Sequence, residues 1–217
     1  MRKAVLFLNG RYQTRDIPYY RKLAKGCFKI AVDRGYRFFE RSGLVADLLI
    51  GDFDSLKRFP RRLSSKTRVA RFPVDKDKTD TELALDYCLE HGISKTDLVQ
   101  PSLGDPDHFL ANLYLLTRAS RQSRTPQLRL IGPDYEALLL SDSRVSFRKA
   151  KGSVISVIPV SASIKLTCRG TAFDVTSARI SLGQTRSTRN RVTAATSWFD
   201  ITGKAFVIRQ FSRARII

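Results

Sequence analysis

The sequence predicts an α/β chain in two parts: a mostly parallel α/β domain over residues 1–142, followed by a small antiparallel β-sandwich domain over residues 143–217. Three observations carry that prediction. Short apolar runs alternate with helical stretches as far as Ser141, and only strand-like segments separated by turn residues follow it. The charge divides at the same place. Residues 1–142 carry 25 basic and 18 acidic side chains, and residues 143–217 carry 14 basic and only 2 acidic ones, Asp174 and Asp200. Alternating strands and helices build a parallel sheet covered on both faces, whereas short strands in series build sandwiches or barrels.

Taken in order, Ala4–Leu8 is a continuous apolar run, as a strand buried on both faces requires. Phe28–Val32, Leu48–Ile50, Arg68–Phe72, Leu98–Val99 and Leu128–Ile131 repeat the pattern. The clearest helix between them opens at Thr79-Asp80-Thr81-Glu82, a capping box in which Thr79 and Glu82 satisfy the first turn. It continues to Leu89 and stops at His91-Gly92, a glycine cap. A second helix begins after Asp107, with Phe109, Leu110, Leu113 and Leu116 at helical spacing. Beyond Ser141, Arg144–Lys149, Ser153–Ile158, Ile164–Arg169, Arg191–Ala195 and Ala205–Phe211 read as strands. Gly152, Pro159, Gly170, Gly183 and Gly203 read as turns between them.

Composition narrows the function classes. With 217 residues, a net charge of +19 and 42% hydrophobic residues, the chain is no disordered polyelectrolyte. No apolar run approaches the ~20 residues that span a bilayer. Five apolar residues after Met1-Arg2-Lys3 are too few for a signal peptide, so a cytoplasmic protein without a membrane partner is expected. Cys27, Cys88 and Cys168 form no C-x-x-C pair and are odd in number, so they are expected as free, buried small hydrophobes. The net +12 of residues 143–217 fits either an anionic partner or a solvated basic surface, and the sequence does not choose.

The predicted strands share one feature: each is followed by acids. Asp33-Arg34-Gly35 follows the second, Gly51-Asp52-Phe53-Asp54-Ser55 the third, and Asp75-Lys76-Asp77-Lys78-Thr79-Asp80 comes soon after the fourth. Gly104-Asp105-Pro106-Asp107-His108 comes after the fifth. Open α/β sheets bind ligands beyond the carboxyl ends of their strands, so four strands deliver carboxylates to one functional edge. Clustered carboxylates repel unless cations neutralise them. Oxygen ligands without cysteine favour Mg²⁺, which usually shares its shell with substrate phosphates. Arg34, Lys76 and Lys78, interleaved with the acids, suit phosphate oxygens. The reaction class suggested is metal-dependent phosphoryl or pyrophosphoryl transfer.

In order and spacing, Asp33-Arg34-Gly35, Gly51-Asp52-Phe53-Asp54-Ser55, Lys76-Asp77-x-Thr79-Asp80 and Gly104-x-x-Asp107-His108 with Asn112 resemble the thiamine pyrophosphokinase family. Gly183-x-Thr185 with Asn190, and Thr202-Gly203-Lys204-Ala205-Phe206-Val207, resemble its C-terminal β-domain. The resemblance implies transfer of the β,γ-pyrophosphate of ATP to the hydroxyl of thiamine, giving AMP and thiamine diphosphate. It implies a homodimer, a Rossmann-like α/β domain for ATP and Mg²⁺, and a β-domain that helps hold thiamine. On this resemblance Asp52, Asp54 and Asp80 bind the metal and, with Asp107, form the catalytic set. Asn9, Asp33, Arg34, Gly35, Ser55, Lys76, Lys78, Thr79, Gly104 and His108 take the nucleotide, and Thr188 and Asn190 lie by thiamine.

Two departures from the family pattern stand out. Leu103-Gly104-Asp105-Pro106 replaces a stretch with two glycines and a base, and Arg189 stands where a serine is usual. Both fall on the acceptor side, so a pterin alcohol is an alternative acceptor. A nucleic-acid-binding module using the basic C-terminal third is the alternative outside enzymology, although no RNA-recognition, zinc-finger or helix-turn-helix pattern accompanies it.

Overall fold

The computed structural model describes residues 2–53, 63–101, 105–118 and 128–212. The fold is mixed α/β, and its contacts divide the chain into two compact units. One comprises Met1–Leu115 with Leu130–Pro133, the other Leu116–Arg129 with Asp134–Ile217.

The first unit is built on strands β1 (Lys3–Phe7), β2 (Phe28–Val32), β3 (Leu48–Gly51), β4 (Arg68–Arg71), β5 (Lys95–Val99) and β6 (Leu128–Ile131). Their order is β6-β5-β1-β2-β3-β4, and β5, β1, β2, β3 and β4 pair in parallel. Helices α1 (Ile17–Ala24), α2 (Tyr36–Ser42), α3 (Asp80–Glu90) and α4 (Pro106–Leu115) connect them. Phe7 of β1 stacks on Phe38 of α2 at 4.1 Å between centroids, and Tyr12, Tyr20 and Phe39 close round that pair. β5 begins three residues earlier than the apolar pattern implies. Asp97 is 2% exposed, and Lys3 reaches across from β1 to pair with it at 2.5 Å. Leu113 of α4 and Leu116 just past its end are buried as expected, but Leu110 faces solvent while Asn112 turns inward to Gln100.

Gly35 sets how closely α2 approaches the sheet. A Cβ built there would lie 1.8 Å from the Phe7 carbonyl oxygen. The missing side chain therefore serves packing, and it holds the neighbouring Asp33 and Arg34 at the end of β2.

The second unit consists of β7 (Tyr135–Arg148), β8 (Val154–Pro159), β9 (Ser163–Arg169), β10 (Val175–Ser181), β11 (Asn190–Arg191) and β12 (Thr196–Gln210), all paired antiparallel. The expected boundary at 142/143 falls inside β7, because Tyr135–Leu140 pairs with Ala205–Gln210 of β12. The second unit accordingly takes in residues from Asp134 onward. Gly203 is not a turn between strands but a bulge inside β12, at φ +96°, where a Cβ would lie 2.9 Å from Ser161 Oγ. Its amide donates to Asp142 Oδ1 at 2.8 Å. Before the bulge β12 pairs with β9, and after it with β8. The expected strand at 191–195 shrinks to β11, while β10 is a strand whose Ser-Ala-Arg alternation is too polar to announce itself. Leu166, Cys168, Phe199, Ile201 and Val207 fill this unit's core. All three thiols are free, and burial pushes Cys88 up to about 12.

Gly35→Ala is expected to cost about 3 kcal/mol, the upper range for forcing atoms into a packed interior, and to lower the urea midpoint. An unchanged midpoint would show that the Phe7 carbonyl can withdraw.

Candidate active site

The carboxyl ends of the parallel strands converge on one cleft of about 920 Å³, formed within the first unit. Each strand sends its following residues there: Asn9–Tyr12 after β1, Asp33 and Arg34 after β2, Asp52 after β3, Lys76–Thr81 after β4 and Gln100 after β5. The chain runs from β1 outward to β4, then returns to place β5 on the other side of β1. Such a reversal leaves a crevice above the sheet, and that is where doubly wound folds bind ligands.

The centre of the cleft is an ammonium between two carboxylates. Lys76 Nζ lies 2.7 Å from Asp52 Oδ2 and 3.0 Å from Asp80 Oδ1, and it donates to the Pro73 carbonyl at 3.1 Å. Asp80 is the first residue of α3, where the helix dipole favours a negative charge. Thr79 caps that helix, its hydroxyl accepting from the Glu82 amide at 3.2 Å, so the cap predicted from the sequence is what aims Asp80. Asp33 is buried and held at φ +46°, in the left-handed region. Burial raises the Asp80 carboxyl above its ordinary range, and the charges of Asp52 and Asp33 add to the effect against the pull of Lys76. Burial alone would lower Lys76, but its bonds to Asp52 and Asp80 and their charges leave it raised. Lys78 turns to Asp86 of α3 at 2.9 Å.

Of the residues expected at the site, Asn9, Asp33, Arg34, Asp52, Lys76, Lys78, Thr79, Asp80 and His108 line the cleft. Gly35 does not; it is buried against β1. Asp107 does not either. It is exposed and its carboxylate accepts from the His108 amide at 2.8 Å, while Asp105 lines the cleft. Asp54, Ser55 and Gly104 lie outside the described residues. Thr188 and Asn190 belong to the second unit. There the Thr188 hydroxyl donates to the Thr185 carbonyl at 2.7 Å, and the Asn190 amide holds Thr171 Oγ1 at 3.0 Å and the Phe173 carbonyl at 2.8 Å. Arg189 is exposed, at φ +57°, with Nη1 3.4 Å from Gln210 Oε1.

Sequence reasoning passed over Arg37 and Arg41, which also line the cleft. Together with Arg34 they sit three and four residues apart, the spacing that puts side chains on one helix face, and that was the available signal. Arg41 bonds the Tyr12 carbonyl and, at 3.0 Å, Thr14 Oγ1, which ties down the loop after β1. Gln100 and Asn112, bonded at 2.9 Å, form a buried polar pair at the cleft. Among the described residues no group of three His, Cys, Asp or Glu side chains is arranged as a metal site.

Fold and cleft together define a class: an α/β enzyme with a site of mixed carboxylates and cations at the carboxyl edge of a parallel sheet. Comparison with known proteins narrows it. The family model described as "Thiamin pyrophosphokinase, catalytic domain" matches residues 20–128. The chain is 30% identical over 167 residues to the thiamine pyrophosphokinase of Bacillus subtilis, spanning 75% of this chain and 77% of that protein. It superposes on the crystal structure of the Bacillus subtilis enzyme with a TM-score of 0.83 at 24% identity, covering 97% of this chain and 99% of that one. The Geobacillus thermodenitrificans structure gives 0.80 at 23% identity over 99% of both chains. The Candida albicans structure gives 0.74 at 16%, covering 97% of this chain and 89% of that one. The chain belongs to the thiamine pyrophosphokinase family. No helix among its described residues is long and apolar enough to cross a membrane.

Because the folded environment raises the Asp80 carboxyl, the native state binds that proton more tightly than the unfolded chain does. Stability contributed by this group is therefore lost as pH rises through the raised value. In metal-free buffer, Asp80→Asn is expected to be more stable than wild type near neutral pH, with the difference fading below the ordinary carboxylate range. Urea melts at both pH values check this; a variant less stable at neutral pH would show that the Lys76 pair outweighs burial.

Proposed function

We propose that this protein transfers the β,γ-pyrophosphate of ATP to the hydroxyl of thiamine, releasing AMP and thiamine diphosphate. One observation carries the reading: in a member of this family, the strand ends hold Asp52 and Asp80 about a single ammonium in a cleft edged by arginines. We further propose that the first unit is the Rossmann-like ATP unit and the second a β-sandwich on the thiamine side, with Thr188 and Asn190 toward thiamine. We propose also a cytoplasmic homodimer. Family membership favours neither the pterin alcohol nor the nucleic-acid module as the main activity.

The residues fit Mg²⁺. The donors are all oxygen, and the charges of Asp52 and Asp33 raise the proton affinity of Asp80, so the cluster gains from a cation. Asp52 and Asp80, with Asp54, would hold the ion. When bound, it supplies neutralisation of polyphosphate charge. The other roles belong to the side chains. Lys76 is the cation poised to exchange its carboxylate partners for phosphate oxygens. Arg34, Lys78 and Arg37 line the same cleft and suit the remaining negative oxygens. The thiamine hydroxyl oxygen bonds to the β-phosphorus and gives up its proton to solvent, the bond from that phosphorus to the oxygen bridging to the α-phosphate breaks, and AMP departs with that oxygen. Alignment and charge stabilisation do most of what such a transfer needs.

AMP formation from ATP should depend on both Mg²⁺ and thiamine; equal AMP release with a pterin alcohol, or without any acceptor, would overturn the assignment. Asp52→Asn is expected to lower kcat/KM about 100- to 1,000-fold, the usual cost of removing one group that stabilises transition-state charge. Light scattering should report twice the chain mass, and a monomer at micromolar concentration would remove the dimer.

A further inference from the structure

The basic charge of residues 143–217 is not absorbed by the cleft, and strand register shows where part of it goes. Four strands of the second unit lie in the order β10-β9-β12-β7. Opposed residues in an antiparallel pair share a face. Phe147, Phe199, Ile201, Leu166, Cys168 and Ile180 alternate onto the core side. The opposite face carries Arg144 and Arg148 from β7, Lys165 and Arg169 from β9, and Arg179 from β10. Trp198 and Asp200 of β12 lie between them, and the remaining positions are serines and threonines such as Ser146, Thr167 and Thr202.

Five cations and one acid therefore share one sheet face. Asp200 is spoken for: Arg144 binds it at 2.5 Å, the two side chains being 55% and 40% exposed. Arg148, Lys165 and Arg179 form no ion pair among the described residues. The indole of Trp198 is half-buried, with the Arg144 guanidinium 4.2 Å and the Arg169 guanidinium 5.9 Å from its ring centre. Arg169 is held in place by the Cys168 and Val175 carbonyls, both at 2.8 Å, and by Thr176 Oγ1 at 2.7 Å. Side chains two apart on a strand repeat every ~6.7 Å and strands lie ~4.8 Å apart, so the cations form a grid rather than a point.

We propose that this face binds single-stranded nucleic acid without strong sequence preference, its cations on successive phosphates and Trp198 against a base. Charge complementarity selects a polyanion, and an aromatic ring flanked by guanidinium groups on a sheet is the platform on which unpaired bases stack. A second copy of the chain is a poor occupant, because a two-fold axis would set these cations against themselves. No residue of this face is among those placed in the cleft, so the activity is additional to pyrophosphate transfer.

The full-length protein reports on this surface directly, since Trp198 is its single tryptophan. Titration with a fluorescein-labelled oligouridylate should raise anisotropy and quench tryptophan emission together. With Arg148, Lys165, Arg179 and Arg169 engaged on phosphates, affinity should fall about 50-fold between 50 and 200 mM salt. Replacing Arg148, Lys165 and Arg179 together by glutamine should reduce that salt effect to about 3-fold. The same variant should leave thiamine-dependent AMP release unchanged, which also reports that it is folded. Unquenched tryptophan on binding, an unaltered salt dependence in the triple variant, or equal affinity for duplex would each overturn the proposal. So would binding to phosphatidylserine vesicles but not to the oligonucleotide.

Discussion

Two carboxylates from different elements are brought together at the strand ends, and the site depends on the ammonium between them. Unit charges 4 Å apart interact by about 4 kcal/mol at an effective dielectric near 20, so Asp52 and Asp80 would drive each other apart unaided. Lys76 converts that repulsion into a link between the end of β3, the loop before α3 and the first turn of α3. The link is provisional by nature. An ammonium held by carboxylates on a flexible side chain has the reach and the charge to turn toward another anion.

Much of this was legible in the sequence, for reasons that differ by residue. Ala4–Phe7 and Leu48–Ile50 announced themselves as strands because a strand buried on both faces needs an unbroken apolar run. The Thr79–Glu82 capping box was legible because a helix start leaves amides that a hydroxyl must satisfy. The end of α3 followed from Gly92, at φ +66°. The first part of β5 was hidden by Asp97, whose burial makes sense only once Lys3 is seen reaching it from β1. Asp107 shows what a motif does not record, the direction of a side chain: its carboxylate accepts from the next amide, and Asp105 lines the cleft. Arg37 and Arg41 were overlooked because a basic helix face usually means solvent, and only the placement of α2 shows otherwise.

The second unit was harder to read because its strands are long, bent and half polar. β12 keeps one partner, β7, along its whole length and changes the other at Gly203. A glycine read as a turn from sequence is locally similar to a bulge, since both need a positive φ. What separates them is the apolar alternation, Phe199 and Ile201 before it and Ala205 and Val207 after it, which stays on the core side across the irregularity.

That same strand has a consequence for the order in which the chain matures. Every strand of the first unit has been made by Pro133, so that unit can close during synthesis while most of the second is still missing. The second unit has no such freedom. β7, β8 and β9 all take β12 as a partner, yet β12 begins 48 residues after β7 ends, at Thr196 against Arg148. Until it arrives, three strands wait with an unpaired side, and contacts so distant in sequence form slowly. A nascent chain stalled between β10 and β12 would therefore carry a finished cleft on an unfinished, sticky neighbour, the state in which a chaperone would find most to hold.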